Sequence, residues 1–133
     1  MSLILPLALV PLAAAVLIGA GPSLLAGVQP GLWEVSRSAS GQAARRVCLG
    51  QVVQLAEIEM RGEPCRRTAL GEHNGNLMVE LSCPRGDFAR SAIRVTTPRS
   101  LRLETQGIHR GEPFAYRLYA RRIGACAPNS ARR

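Results

Sequence analysis

Hydrophobic positions in this chain follow two regimes. Leu3–Ile18 is a nearly continuous apolar run, closed by the small residues and turn formers Gly19-Ala20-Gly21-Pro22-Ser23. From Leu32 onward the pattern has period two, broken at intervals by glycine, proline, asparagine and serine. Leu32–Arg37 alternates with Trp33 and Val35 on one face, the mark of a half-buried strand. Ala43–Leu49 follows the polar turn Ser38–Gln42 as a second strand. Val52, Leu55, Ala56 and Met60 then fall at helical spacing, predicting a short helix over Gln51–Met60 that Gly62 and Pro64 end.

Two hairpins follow. Asn74-Gly75 lies between the apolar runs Cys65–Glu72 and Asn76–Cys83, and both turn residues tolerate positive φ. A three-residue loop His73-Asn74-Gly75 pairs Glu72 with Asn76 and, counting back, Cys65 with Cys83, with Leu77, Val79 and Leu81 on the buried face. Arg90–Thr97 and Leu101–Gln106 form the second hairpin about Pro98-Arg99-Ser100, which sets Val95 opposite Leu103 and Arg94 opposite Glu104. Phe114–Ile123 is the last strand. The expected fold is mainly β: a small antiparallel sheet, curved or a partly open barrel, with one short helix.

The opening regime reads as an export signal, because residues 1–33 carry no charged side chain and small residues follow the apolar run. Cleavage would fall near Ala20 or Ala26, making residues 1–26 a signal peptide, 29–126 one β-rich domain and 127–133 a disordered polar tail. The alternative is a membrane anchor over residues 3–20. That run falls short of the ~20 apolar residues a spanning helix needs, and Pro6 and Pro11 would weaken the helix.

Export changes the meaning of the cysteines. In an oxidising compartment Cys48, Cys65, Cys83 and Cys126 read as disulfides. The hairpin register selects Cys65–Cys83, which leaves Cys48–Cys126. Zinc sites bring cysteines in pairs two to four residues apart, and no such pair is present, so no metal is expected.

The formal charge is +8, and every basic residue is Arg. Such a balance permits attraction to anionic lipid, polysaccharide or nucleic acid. Arg94, Arg102 and Arg117 fall on outward positions of neighbouring strands and are the candidate anion-binding residues. Their ordinary role is a solvated face with cross-strand partners such as Glu104. Nucleic acid is disfavoured, because only Tyr119 would interleave with them.

Catalytic motifs are missing. The sequence contains no Gly-x-Ser-x-Gly elbow, His-Glu-x-x-His or P-loop. His73 sits at a hairpin tip, His109 lies in the loop Gly107–Gly111, and Asp87 is expected to cap its own turn beside Gly86. Glu57 and Glu59, two apart on the expected helix, do not share a face. No catalytic residue and no cofactor is expected.

The opening Pro30-Gly31-Leu32-Trp33-Glu34-Val35, then Cys48-Leu49, Cys65, Cys83 and the closing Arg122-Ile123-Gly124-Ala125-Cys126, together resemble the bacterial domain-of-unknown-function 3617 (DUF3617) family. The resemblance spans residues 29–126. It implies a small exported, periplasmic, disulfide-containing β domain, and supplies no catalytic residues. Gly50-Gln51 stands where that family often has Ser or Thr followed by Pro-Glu. Three functional readings follow: a non-enzymatic periplasmic module binding an envelope component, an electrostatic binder of an anionic polymer or lipid, and a small hydrolase built on His109 and a loop carboxylate.

Overall fold

The computed structural model describes residues 23–128. The export segment over residues 1–22 and the tail beyond residue 128 lie outside the described residues. Seven strands form one antiparallel sheet: β1 (Gly31–Ser36), β2 (Arg45–Leu49), β3 (Arg66–His73), β4 (Asn76–Ser82), β5 (Phe88–Thr97), β6 (Ser100–His109) and β7 (Glu112–Gly124). Their spatial order is β2-β1-β7-β6-β5-β4-β3.

Alternation determines the buried face. Trp33, Val35, Leu77, Val79, Ile93, Leu101, Leu103, Leu118 and Ala120 point to one side and form a single core. Val47 and Leu49 of edge strand β2 join the same core. Val47 also shares a cleft with Leu81 of β4, five strands along the sheet, so the sheet is rolled on itself. The roll stays open between β2 and β3, and the connection between those two strands lies across the gap. β3 is exposed along its whole length.

The short helix is 3-10 rather than α, over Val52–Glu57. Adjacent β-branched Val52 and Val53 open it, and the Gln54 side-chain oxygen takes the Gln51 N–H at 3.0 Å, which favours a tight first turn. Val52, Leu55 and Ala56 of this segment are buried against the sheet.

Both hairpin registers differ from expectation, for local reasons. The β3–β4 turn has two residues: Asn74 (φ 50°) and Gly75 (φ 75°) adopt the left-handed geometry that suits a twisted hairpin, and His73 pairs with Asn76. The one-residue slip is absorbed by a bulge at Leu70, between the pairs Ala69↔Val79 and Gly71↔Met78. Beyond the bulge Arg66 faces Ser82, so Cys65 stands opposite Cys83. The β5–β6 turn is Pro98-Arg99, with the Thr97 hydroxyl accepting the Arg99 N–H at 3.1 Å. A bulge at Thr96, between the pairs Val95↔Leu101 and Thr97↔Ser100, adds a second residue of slip, so Arg94 faces Arg102, and Val95 faces Leu101, instead of Glu104 and Leu103. The shift is two residues, so every side chain keeps its face.

Disulfides join Cys48 to Cys126 and Cys65 to Cys83. No cysteine is free. Among the described residues no helix is long and apolar enough to cross a membrane.

Candidate binding cleft

The open side of the roll holds a cleft of about 630 Å³, within the ~300–1,000 Å³ common for small-ligand sites. Its floor is apolar: Val47 and Leu49 from β2, Ile58 and Met60 after the 3-10 segment, and Leu81 from β4. Cys48 and Cys65, one from each disulfide, also line it. Gln54, Glu57, Arg61 and Glu63 supply the polar part of the lining. From β3, Arg67 bonds Glu57 Oε1 at 3.1 Å and Gln51 Oε1 at 3.2 Å, tying that edge strand to the 3-10 segment. Leu49, Met60 and Leu81 are each at most 2 % exposed, so the floor is fixed by the core.

The stretch 58–63 gives Ile58 and Met60 to the floor and Arg61, Gly62 and Glu63 to one wall. This stretch is wound into successive tight turns, with Met60 N–H bonded to Glu57 O, Glu63 N–H to Met60 O and Cys65 N–H to Glu63 O. Behind it stands His109, the last residue of β6. Its Nδ1 lies 3.4 Å from Glu59 Oε1 and its Nε2 lies 3.2 Å from Glu63 Oε1. The second Glu59 oxygen accepts the Tyr116 hydroxyl at 2.6 Å. Arg37 stacks over the Tyr116 ring, 4.1 Å from its centre. Desolvation, then the neighbouring Glu59 carboxylate, pushes the Tyr116 hydroxyl well above its ordinary value, so it remains a donor.

The hydrolase reading pairs His109 with a loop carboxylate, Glu112 or Asp87. Its ring nitrogens meet Glu59 and Glu63 instead. Those two are four apart in sequence, the one signal in the chain that could have marked them. It was hidden because Gly62 and Pro64 read as the end of a helix.

Asp87 corrects another expectation. It is 5 % exposed and does not cap its own turn. Its carboxylate accepts the Arg110 N–H at 2.9 Å and the Gly111 N–H at 3.4 Å, across to the β6–β7 turn. The Arg110 bond is the main reason its carboxyl sits below the usual range. His73 closes β3 at the exposed hairpin tip, where Asn74 Nδ2 lies 3.1 Å from its Nε2.

Arg94, Arg102 and Arg117 share the outer face of β5, β6 and β7. Glu104 Oε1 lies 2.8 Å from Arg117 and 3.8 Å from Arg102. Arg94 donates to the Asn74 carbonyl at 2.8 Å, bracing the β3–β4 turn. Among the described residues no group of three or more His, Cys, Asp or Glu side chains could hold a metal ion.

The residues named in the opening and closing motifs meet at one corner. Leu32 pairs with Gly124, Pro30 O accepts Arg122 Nε at 3.0 Å, and Cys48 is bonded to Cys126. The family described as a protein of unknown function, DUF3617, matches residues 28–126. The chain belongs to the DUF3617 family. No curated protein and no solved structure matches it. The DUF3617 motif thus covers the domain's covalent and hydrogen-bonded closure. The two disulfides fit an oxidising compartment, extracellular or periplasmic.

Proposed function

We propose that this domain is a non-enzymatic binding module of the bacterial envelope, which takes an apolar portion of an envelope component into the cleft between β2 and the 58–63 wall. The observation that carries this reading is the composition of the cleft, an apolar floor with polar groups around it, the usual build of a small-ligand site. Export through the N-terminal segment belongs to the same proposal and rests on the sequence pattern of residues 1–26. A catalytic reading finds less support. Both His109 nitrogens are engaged by carboxylates, and Asp87 is spent on backbone N–H groups.

The test is titration of the oxidised protein with N-phenyl-1-naphthylamine, an uncharged apolar fluorophore. Saturable binding is expected. Ile58→Asp should weaken it about tenfold or more, because the new carboxylate must be desolvated when the cleft fills. Ile58→Leu should bind as the parent does. Absence of saturable binding by the folded protein, or equal binding by Ile58→Asp, would remove the proposal.

A further inference from the structure

We propose that His109 is a proton-operated clamp on the wall of the cleft. The inference rests on the cleft reading, and its test is read on the wall itself as well as on the ligand.

The argument starts from hydrogen counting. Both ring nitrogens of His109 lie against carboxylate oxygens, Glu59 on one side and Glu63 on the other. An ionised carboxylate only accepts, and a neutral imidazole carries a single N–H; only the imidazolium can donate on both sides at once. Charged His109 therefore holds the wall at two points. Loss of one proton leaves one carboxylate facing a bare nitrogen lone pair, and that contact becomes repulsive.

Position makes this matter. Side-chain exposure is 19 % for His109, 28 % for Glu59 and 18 % for Glu63, so the bonds are partly shielded from water. Glu63 also lines the cleft, as do its neighbours Arg61 and Gly62. Buried Met60 anchors the middle of the wall and the Cys65–Cys83 disulfide anchors its far end, so the free portion is Arg61–Pro64. Histidine is the side chain whose charge changes between about pH 5 and pH 8.

The other charged groups around the ring come from every neighbouring element. Tyr116 on β7 holds Glu59 in place through its hydroxyl. Glu112, also on β7, is the register partner of His109. Asp87, from the β4–β5 connection, feels the His109 charge. Arg110 follows His109 in the chain, and Arg37 stacks on Tyr116. Two N–H donors exist only in the charged ring, so the hydrogen count sets the sign. The sign follows: the wall is held at mildly acidic pH and loosens as pH rises.

Hydrogen exchange of the Glu63 and Cys65 amides, expressed as protection factors to remove the intrinsic pH dependence, tests the clamp. Protection should fall about tenfold between about pH 5.5 and pH 8, the scale of one charge-assisted hydrogen bond near the surface. His109→Gln keeps one donor and one acceptor and should give pH-independent protection. Glu63→Gln, which leaves the histidine intact, should flatten the same profile and serves if His109→Gln fails to fold. N-phenyl-1-naphthylamine should bind more tightly at the lower pH, in the parent only. Protection that is level across this range, or that falls equally in Glu63→Gln, overturns the clamp. Exchange that follows pH without any probe binding would retain the clamp and refute the cleft's function.

Discussion

The two disulfides should contribute unequally, and the difference follows from chain length. Cys48–Cys126 closes a separation of 78 residues and Cys65–Cys83 one of 18. The loop-entropy relation then gives about 4.5 kcal/mol for the first and about 3.2 kcal/mol for the second. Their positions add to the contrast. Cys65–Cys83 caps a hairpin already held by a ladder from Arg66↔Ser82 to His73↔Asn76, interrupted only at the Leu70 bulge. Cys48–Cys126 ties β2 to the chain beyond β7, across the single strand β1. A small domain has only about 5–15 kcal/mol in total, so the longer loop holds a large share of it. The paired variants Cys48→Ala/Cys126→Ala and Cys65→Ala/Cys83→Ala should be unfolded in urea and followed by the fluorescence of Trp33. It is the chain's one tryptophan and is fully buried. With a slope of about 1.5 kcal/mol per molar urea, the midpoints should drop by about 3 M and about 2 M respectively. Equal shifts, or a larger shift for the 65–83 pair, would refute the loop-length reasoning.

Two further outcomes are expected. Asp87 has a lowered carboxyl, so its stabilising effect is complete above the ordinary carboxylate range and disappears as pH falls through the lowered value; Asp87→Asn should lessen the loss of urea stability between about pH 5 and about pH 2.5, and an unchanged acid profile would contradict this. On the outer face, Arg117→Gln and Arg94→Gln should each cost under about 1 kcal/mol, because Glu104 is half exposed and the Asn74 carbonyl lies at an exposed turn where Asn76 Nδ2 also donates to it; the triple variant with Arg102→Gln should leave binding to anionic vesicles at physiological salt weak and unchanged, and saturable parent binding that the triple variant abolishes would instead make this face an anion site.

The sheet was legible because its information is local. Alternation at Trp33 and Val35, at Leu77, Val79 and Leu81, and at Tyr116 and Leu118 is set by the pleat, and each strand carries it independently. Turn length was not legible to one residue. Whether Asn74-Gly75 acts alone or with His73 depends on twist, and the bulge at Leu70 that reconciles the two registers has no signature beyond the adjacent Gly71. The pair Cys65–Cys83 is insensitive to this, because the bulge returns the ladder to step. The cleft was illegible for another reason. Its floor uses residues that read as ordinary core, and its wall comes from a segment read as helix. Only the roll of the sheet brings β2 to face β4, and no short window of sequence encodes that roll. The ring of contacts about His109 depends on the same closure, joining positions 50 and 46 residues apart.

Read from one edge, the strand order runs β3, β4, β5, β6, β7, β1, β2. That is the order of an up-and-down meander with the first and last strands, β1 and β7, side by side in mid-sheet and the discontinuity between β2 and β3. Each strand pairing but one is a hairpin between sequence neighbours, and β1–β7 alone spans the length of the domain. The β3–β7 meander therefore incurs little loop-closure entropy, whereas β1–β7 closes the longest loop in the sheet, and the Cys48–Cys126 bond ties that closure covalently. The seam where a barrel would have sealed by a strand ladder is instead spanned by the β2–β3 connection, tied to β3 through the Arg67 side chain. Under the proposed binding role, an occupant entering there would break no ladder and unfold no strand.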